Sequence, residues 1–188
     1  MLELSKKQAL LLKSVFKQIP PVGDFYTKEY SFTSDSRDIY AAALSNIGDD
    51  LNLCVSLPRN SSRAFLCISD ADDSELGKVV ASLQRYHETK SPIGLGDTVP
   101  LTTNEYVINH NWYAALILSV DTLVDGFDIS FKQDCPDWDV LLVCFITNSE
   151  YTKKIKYGLN ALLDVFEKNE RDLVGFYRLK QSGHARNS

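Results

Sequence analysis

The sequence predicts an α+β fold, a mostly antiparallel or mixed β-sheet with helices packed on one side of it. Three observations point there. Val140 to Ile146 is apolar without a break, the mark of a strand buried on both faces. It runs straight into Thr147-Asn-Ser-Glu150, a capping box, and then into a long amphipathic stretch. Upstream, segments of period two such as Leu51 to Leu57 follow one another in an order that suits hairpins. The chain has 188 residues, read as one domain over 1–180 and a polar flexible tail over 181–188.

The elements follow in chain order. Lys6 to Gln18 reads as a helix, with Ser5 as its N-cap and Leu11, Leu12, Val15 and Phe16 on one face. Pro20 and Pro21 stop it. Phe25 to Phe32 alternates aromatic and polar residues and reads as a strand, and the TSDSRD segment after it as a loop. Asp38 to Leu44 is a second strand, with Ser45 to Asp49 as its turn, and Leu51 to Leu57 a third. Ala64 to Ile68 is apolar but too short for its period to decide its type.

Asp72 and Glu75 form another capping box, ahead of a helix with the stripe Leu76, Val79, Val80, Leu83 and Tyr86. Gly94-Leu95-Gly96 reads as a turn requiring positive φ, with Asp97 and Thr98 entering the next strand. Tyr106 to Val107, Tyr113 to Val120 and the alternating Phe127 to Phe131 read as strands. After the central strand, Tyr151, Ile155, Leu159, Leu162, Leu163 and Phe166 form one helical face. Gly158 falls inside that helix, where it costs about 1 kcal/mol relative to alanine, so a close approach to the sheet is expected there.

Charge is uneven along the chain. Residues 49–150 hold 6 basic and 16 acidic side chains, whereas both flanks are slightly basic. An acidic middle argues against nucleic acid, which needs clustered lysine and arginine, and suits a basic protein partner. The aromatic residues Tyr106, Trp112, Tyr113 and Trp138 lie in or beside this region and are of the types that anchor interfaces. Tyr106, Trp112 and Trp138, with Asp121, Asp125 and Asp137, are therefore the candidate partner-binding residues, with Tyr113 equally well read as core. No apolar run has the length of a membrane span, and Leu10 to Leu12 is too short for a signal-peptide core. A cytoplasmic protein is expected.

Catalytic chemistry has little to build on. Cys54, Cys67 and Cys144 sit in apolar runs, Cys135 reads as a surface thiol, and no spacing of cysteine and histidine suits zinc. His87 ends a helix, where an imidazolium would favour the C-terminal dipole. His110 lies in a polar loop and His184 in the tail. A dyad of Cys144 or Cys135 with His87 or His110 is compatible with the sequence, but no local motif supplies the third group or an oxyanion site. The glycine pair lacks the strand before it and the helix after it that a dinucleotide fingerprint needs. Asp70 to Ser74 resembles the start of a calcium loop, yet Glu75 occupies the glycine position of that loop. Asp121, Asp125 and Asp128 read as solvated turn carboxylates. No cofactor and no metal are expected, and no enzyme activity.

Three segments, IYAAALSNIGDD (39–50), RYHETKSPIGLGDTV (85–99) and FITNSEYTKKIKYGLNALLDVFEKN (145–169), occur in an order and spacing that resembles the Suppressor of fused family, in particular its short bacterial members. The resemblance spans roughly residues 38–178. It departs at Asp97, where relatives often carry a histidine, so no role of that histidine carries over. The family implies a Suppressor of fused-like domain and a non-enzymatic role. Animal members bind a transcription-factor peptide as an added β-strand between two domains, a mode that needs a second domain. Bacterial members are often inferred to be immunity proteins that neutralise toxins. The resemblance thus implies a toxin-neutralising immunity protein, with a regulatory or scaffolding module of the same fold and an uncharacterised enzyme as alternatives.

Overall fold

The computed structural model describes residues 3–34 and 38–177. Among these residues, seven strands form one mixed sheet in the order β1-β2-β3-β4-β7-β6-β5. The strands are β1 (Tyr26–Ser31), β2 (Ile39–Gly48), β3 (Leu51–Leu57), β4 (Arg63–Ser69), β5 (Thr98–Pro100), β6 (Ala114–Ser119) and β7 (Asp139–Ile146). The helices are α1 (Lys6–Gln18), α2 (Asp73–Thr89), α3 (Glu105–Asn109), α4 (Phe127–Asp134), α5 (Asn148–Tyr157) and α6 (Leu159–Lys168). All neighbouring strands are antiparallel except β4 and β7, which pair in parallel from Arg63↔Asp139 to Leu66↔Leu142. No described helix is long and apolar enough to cross a membrane.

Helices cover both faces of the sheet, not one as the sequence suggested. Residues of alternating parity on each strand separate into two cores. Ala43, Val55, Leu66, Leu116 and Leu142 face α1, α4 and α6. Ala42, Cys54, Phe65, Ile117 and Val143 face α2. The central strands are apolar throughout because each buries both of its faces.

Local signals explain most boundaries. The Ser5 hydroxyl accepts the Gln8 N–H and the Gln8 amide returns to the Ser5 N–H, a full capping box. Thr147 and Glu150 do the same for α5. At α2 only half of the expected box forms, with Asp72 accepting from the Glu75 N–H. Leu76, Val79, Val80 and Leu83 are buried as the stripe predicts, whereas Tyr86 is exposed. A Cβ on Gly77 would run into the Tyr30 hydroxyl and the Leu44 side chain, so glycine is what lets α2 lie this close to the sheet.

Several expectations are corrected. β2 continues through Gly48, and the tight turn to β3 is Asp49-Asp50, both at positive φ (53° and 59°). The short apolar segment is a strand, β4. Tyr106 and Val107 lie in α3, started by Asn104, whose side chain accepts the Val107 N–H. Phe127 to Phe131 belongs to α4, where the two phenylalanines stack at 5.4 Å, one helical turn apart. The long helix is two. Gly158, at φ 88°, ends α5 and begins α6, and a Cβ there would meet nothing within 4 Å. The close approach expected at Gly158 therefore belongs to Gly77, and Ile155 is exposed while Leu162 and Phe166 are buried. Cys135 is buried, its thiol 3.2 Å from the Ser14 hydroxyl. The tail over 181–188, with His184, lies outside the described residues.

Candidate functional site

The α2 face of the sheet is only half covered by its helix. α2 lies over β1 to β4, and the β7–β6–β5 half is closed by the segments around α3 and by residues 171–177. Between the two covers runs an open cleft of about 690 Å³. Lys78, Arg85 and Tyr86 of α2 form one wall, and Val99, Leu101 and Tyr106 the other. It meets a second hollow of about 360 Å³ bounded by Tyr86, Ser91 to Ile93, β5 and Lys154. The turn before β5 is the expected one. Gly96 takes φ 83°, and the Asp97 carboxylate accepts the Gly94 N–H at 2.7 Å.

The charges of the walls are partly spent. The two carboxylate oxygens of Asp38 share the Arg85 Nε–H, at 2.8 and 3.0 Å, which holds its carboxyl below the usual range. Lys78, Glu75 and Glu105 remain at the rim. Tyr86 presents a ring that is 43% exposed, the largest apolar surface offered to the cleft by α2.

The second wall is held from behind by a polar and aromatic lock. Tyr106 Oη accepts the Asp72 N–H at 3.1 Å and shares a hydrogen bond with Tyr177 Oη. Burial, then the Tyr177 hydroxyl, push its phenol upward. Phe176 stacks on Tyr106 at 5.2 Å, and its carbonyl accepts the Trp112 Nε1–H at 3.2 Å. Arg171 donates to Glu150 at 3.0 Å and to the Phe145 carbonyl at 3.2 Å, and lies 5.0 Å above the Trp112 ring. The Asp70 carboxylate receives the Phe176 N–H.

This geometry separates the residues singled out in the sequence. Trp112 and Tyr106 lie at the end of the sheet where β4 and β7 finish, whereas Trp138, Asp121, Asp125 and Asp137 lie at the opposite end. Trp112 and Trp138 are 3% and 7% exposed, so neither ring is presented as an anchor. Tyr113 is half-buried, 4.9 Å from Tyr151. Asp121 accepts the Asp128 N–H and serves its turn, while Asp125 and Asp137 are exposed. The acidic middle of the chain is likewise divided. Asp49, Asp50, Asp72 and Asp73 share one end, and Asp134 and Asp139 at the other are paired with Lys17 and with Lys132 and Arg63.

Reactive groups are engaged or buried. Burial pushes the Cys144 thiol up to about 12, and it raises Cys54 and Cys67 too. His110 Nδ1 is 2.8 Å from the Tyr106 carbonyl. His87 Nδ1 accepts the Ile93 N–H at 2.9 Å, so the ring is neutral there and not the imidazolium expected at a helix end. Burial, then the Arg63 guanidinium, hold its pKa below the ordinary 6.5. Among the described residues, no three His, Cys, Asp or Glu side chains are placed to hold a metal ion.

No family model and no curated protein matches the chain. Its three-dimensional form does match a solved structure, that of a SUFU (suppressor of fused protein) homolog from Neisseria gonorrhoeae FA 1090. The TM-score is 0.69 at 14% identity, over 90% of this chain and 93% of that one. The chain has a Suppressor of fused-like fold. The sequence resemblance of 38–178 and the superposition agree on this fold, and the cleft is a feature of it in this chain.

The residues that build the cleft were largely missed in the sequence. Tyr86 falls on the apolar stripe of α2 yet is exposed, and Asn104 carries the one available signal, an Asn-Glu pair ahead of Tyr-Val-Ile that marks a helix start. Arg171 and Asp70 carry no local signal for the bonds that brace this wall, since Glu150, Phe145 and Phe176 lie 21 or more residues from them.

Proposed function

We propose that this chain is a non-enzymatic protein-binding domain that receives a segment of a protein partner in the cleft between α2 and the β5–α3 wall. The cleft carries the reading. It is open, of a size to take several side chains, mixed in polarity, and braced on one side by hydrogen bonds that hold its shape before binding. The partner proposed is a bacterial toxin that the chain neutralises by direct contact in the cytoplasm. The family resemblance and the bacterial source of the protein with the same fold support this reading. Glu75 and Glu105 at the rim, with Asp72 and Asp73 beyond them, favour a basic partner and would speed its approach.

The engaged histidines and raised thiols support the absence of catalysis, because a thiol far above neutral pH supplies little thiolate. A thiol reagent should leave all four cysteines unmodified until the chain is unfolded. Rapid native-state labelling of Cys144 would revive an enzymatic reading.

The experiment pairs the chain with the toxin domain encoded beside it. A one-to-one complex is expected, with toxin activity lost and association slowed by salt. Tyr86→Ala should weaken it about tenfold or more while leaving the fold intact. Normal binding by folded Tyr86→Ala and Lys78→Glu variants would place the partner elsewhere. Binding without loss of toxin activity would favour a regulatory or scaffolding role. Trp112→Ala would test the core rather than the interface, since that ring is buried.

A further inference from the structure

Residue Ile93 is gripped at both of its backbone groups by side chains from two elements. Its N–H donates to His87 Nδ1 at 2.9 Å, and its carbonyl accepts from Arg63 Nη1 at 2.8 Å. Its side chain is buried against the α2 face of the sheet. The connection from α2 to the edge strand β5 is held by backbone bonds at its ends, Ser91 N–H to the Tyr86 carbonyl and Gly96 N–H to the Ile117 carbonyl, and between them Ile93 is the point that side chains pin down. That connection, with Pro92 and Ile93, bounds the inner hollow of the cleft.

We propose that His87 is an acid-sensitive latch, whose protonation releases Ile93 and lets residues 92–95 loosen the inner wall of the cleft. A backbone N–H can only donate, so the bond exists only while Nδ1 carries a lone pair. Protonation turns that acceptor into a donor facing another donor. It also sets a cation near the Arg63 guanidinium, whose Nε is buried without a hydrogen-bond partner. Asp139 on β7 takes one Arg63 bond at 3.0 Å and is itself shared with Lys132 of α4, so it does not free Arg63 to turn away. Glu88, next to His87 on α2, is the group that favours the proton; its Oε1 accepts from the Arg59 N–H and the Gln84 amide, while its Oε2 is buried without a hydrogen-bond partner. Phe65 of β4 meets the ring edge-on at 5.6 Å and leaves no room for a water shell on that side. Asp97, in the connection itself, is tied to the Gly94 N–H.

The direction follows from linkage. The closed form takes up a proton less readily than the released form, so the latch holds fully above about pH 6.5 and weakens as pH falls below that value. The latch operates whatever the cleft binds, and its test needs no partner.

Amide exchange at Ile93, corrected for the intrinsic rate, should rise as pH is lowered from about 7.5 to about 5, approaching tenfold per pH unit at the acid end. In His87→Asn the Oδ1 atom stands where Nδ1 stood and does not titrate, so the corrected profile should be flat. Independently, the imidazole nitrogen shifts of the wild type at neutral pH should show Nδ1 unprotonated and Nε2 protonated. A profile in His87→Asn as steep as that of the wild type would overturn the proposal. So would a protonated Nδ1 at neutral pH with Ile93 still protected.

Discussion

The two faces of the sheet are covered by different means. On one face α1, α4 and α6 lay Leu11, Leu12, Val15, Phe127, Phe131, Leu162 and Phe166 onto the strands, and the cover is made of side-chain volume. On the other, α2 does the same over β1 to β4, but the β7–β6–β5 half is closed by chain segments that polar side chains hold in place. Asp70 and Arg171 fix residues 171–177, and His87 with Arg63 fixes Ile93. The open cleft lies along this second cover. Packed volume fails only with the core it belongs to, whereas an anchored segment can detach by itself. The anchored half is therefore where local change is compatible with an intact fold.

The largest effect expected is on the packed face. Leu162 is fully buried, and Leu162→Ala should lower stability by about 2 to 5 kcal/mol, read as a shift in the denaturant midpoint with an unchanged slope. A cost under about 1 kcal/mol would show that α6 is an anchored cover rather than a packed one. Next comes Arg171→Ala on the other face. Glu150 and Arg171 are 19% and 13% exposed at their side chains, so the truncation strands a carboxylate with little access to water. The expected loss is about 2 kcal/mol. Its signature is local, with amide exchange rising first in residues 172–177. Uniform loosening of the whole sheet would erase the contrast between the faces.

The packed face and the long strands were legible because their information is local. Alternation marked β1 and β3, an unbroken apolar run marked β7, and Ser5, Asp72 and Thr147, each with Gln or Glu three residues on, marked the starts of their helices. The anchored half was read poorly for the same reason. The packed face has its own exception in α4, where Phe127 and Phe131 fit period two and one helical turn equally well, and only their placement under α1 decides for the helix. Trp112 has the composition of an interface anchor, but Phe176, 64 residues on, buries it and takes its indole proton. The latch at His87 required knowing that a chain leaving α2 turns back so that Ile93 meets the last turn of that helix.

Gly158 tests how far that locality reaches. Read as the interior of one long helix, it should be improved by alanine, by about 1 kcal/mol. Read as the joint between α5 and α6, with φ 88° and ψ 172°, it occupies a region that almost only glycine tolerates. Gly158→Ala should then destabilise by about 1 to 2 kcal/mol although space for the methyl group is free. The sign alone decides between one helix and two.

The smallest effect is the most specific. Ile155 and Leu162 lie on the same apolar stripe of the sequence, and a single straight helix would bury both. The break at Gly158 turns α5 outward, leaving Ile155 61% exposed while Leu162 keeps no exposure at all. Ile155→Ala should therefore change stability by no more than about 0.5 kcal/mol, against several for Leu162→Ala. Should Ile155→Ala cost as much as Leu162→Ala, α5 would be packed on the sheet in solution. The cover on that face would then be wider than the structure makes it. Silence at Ile155, together with a loss at Gly158, fixes where the packed cover ends and identifies the outer side of α5 as surface rather than core.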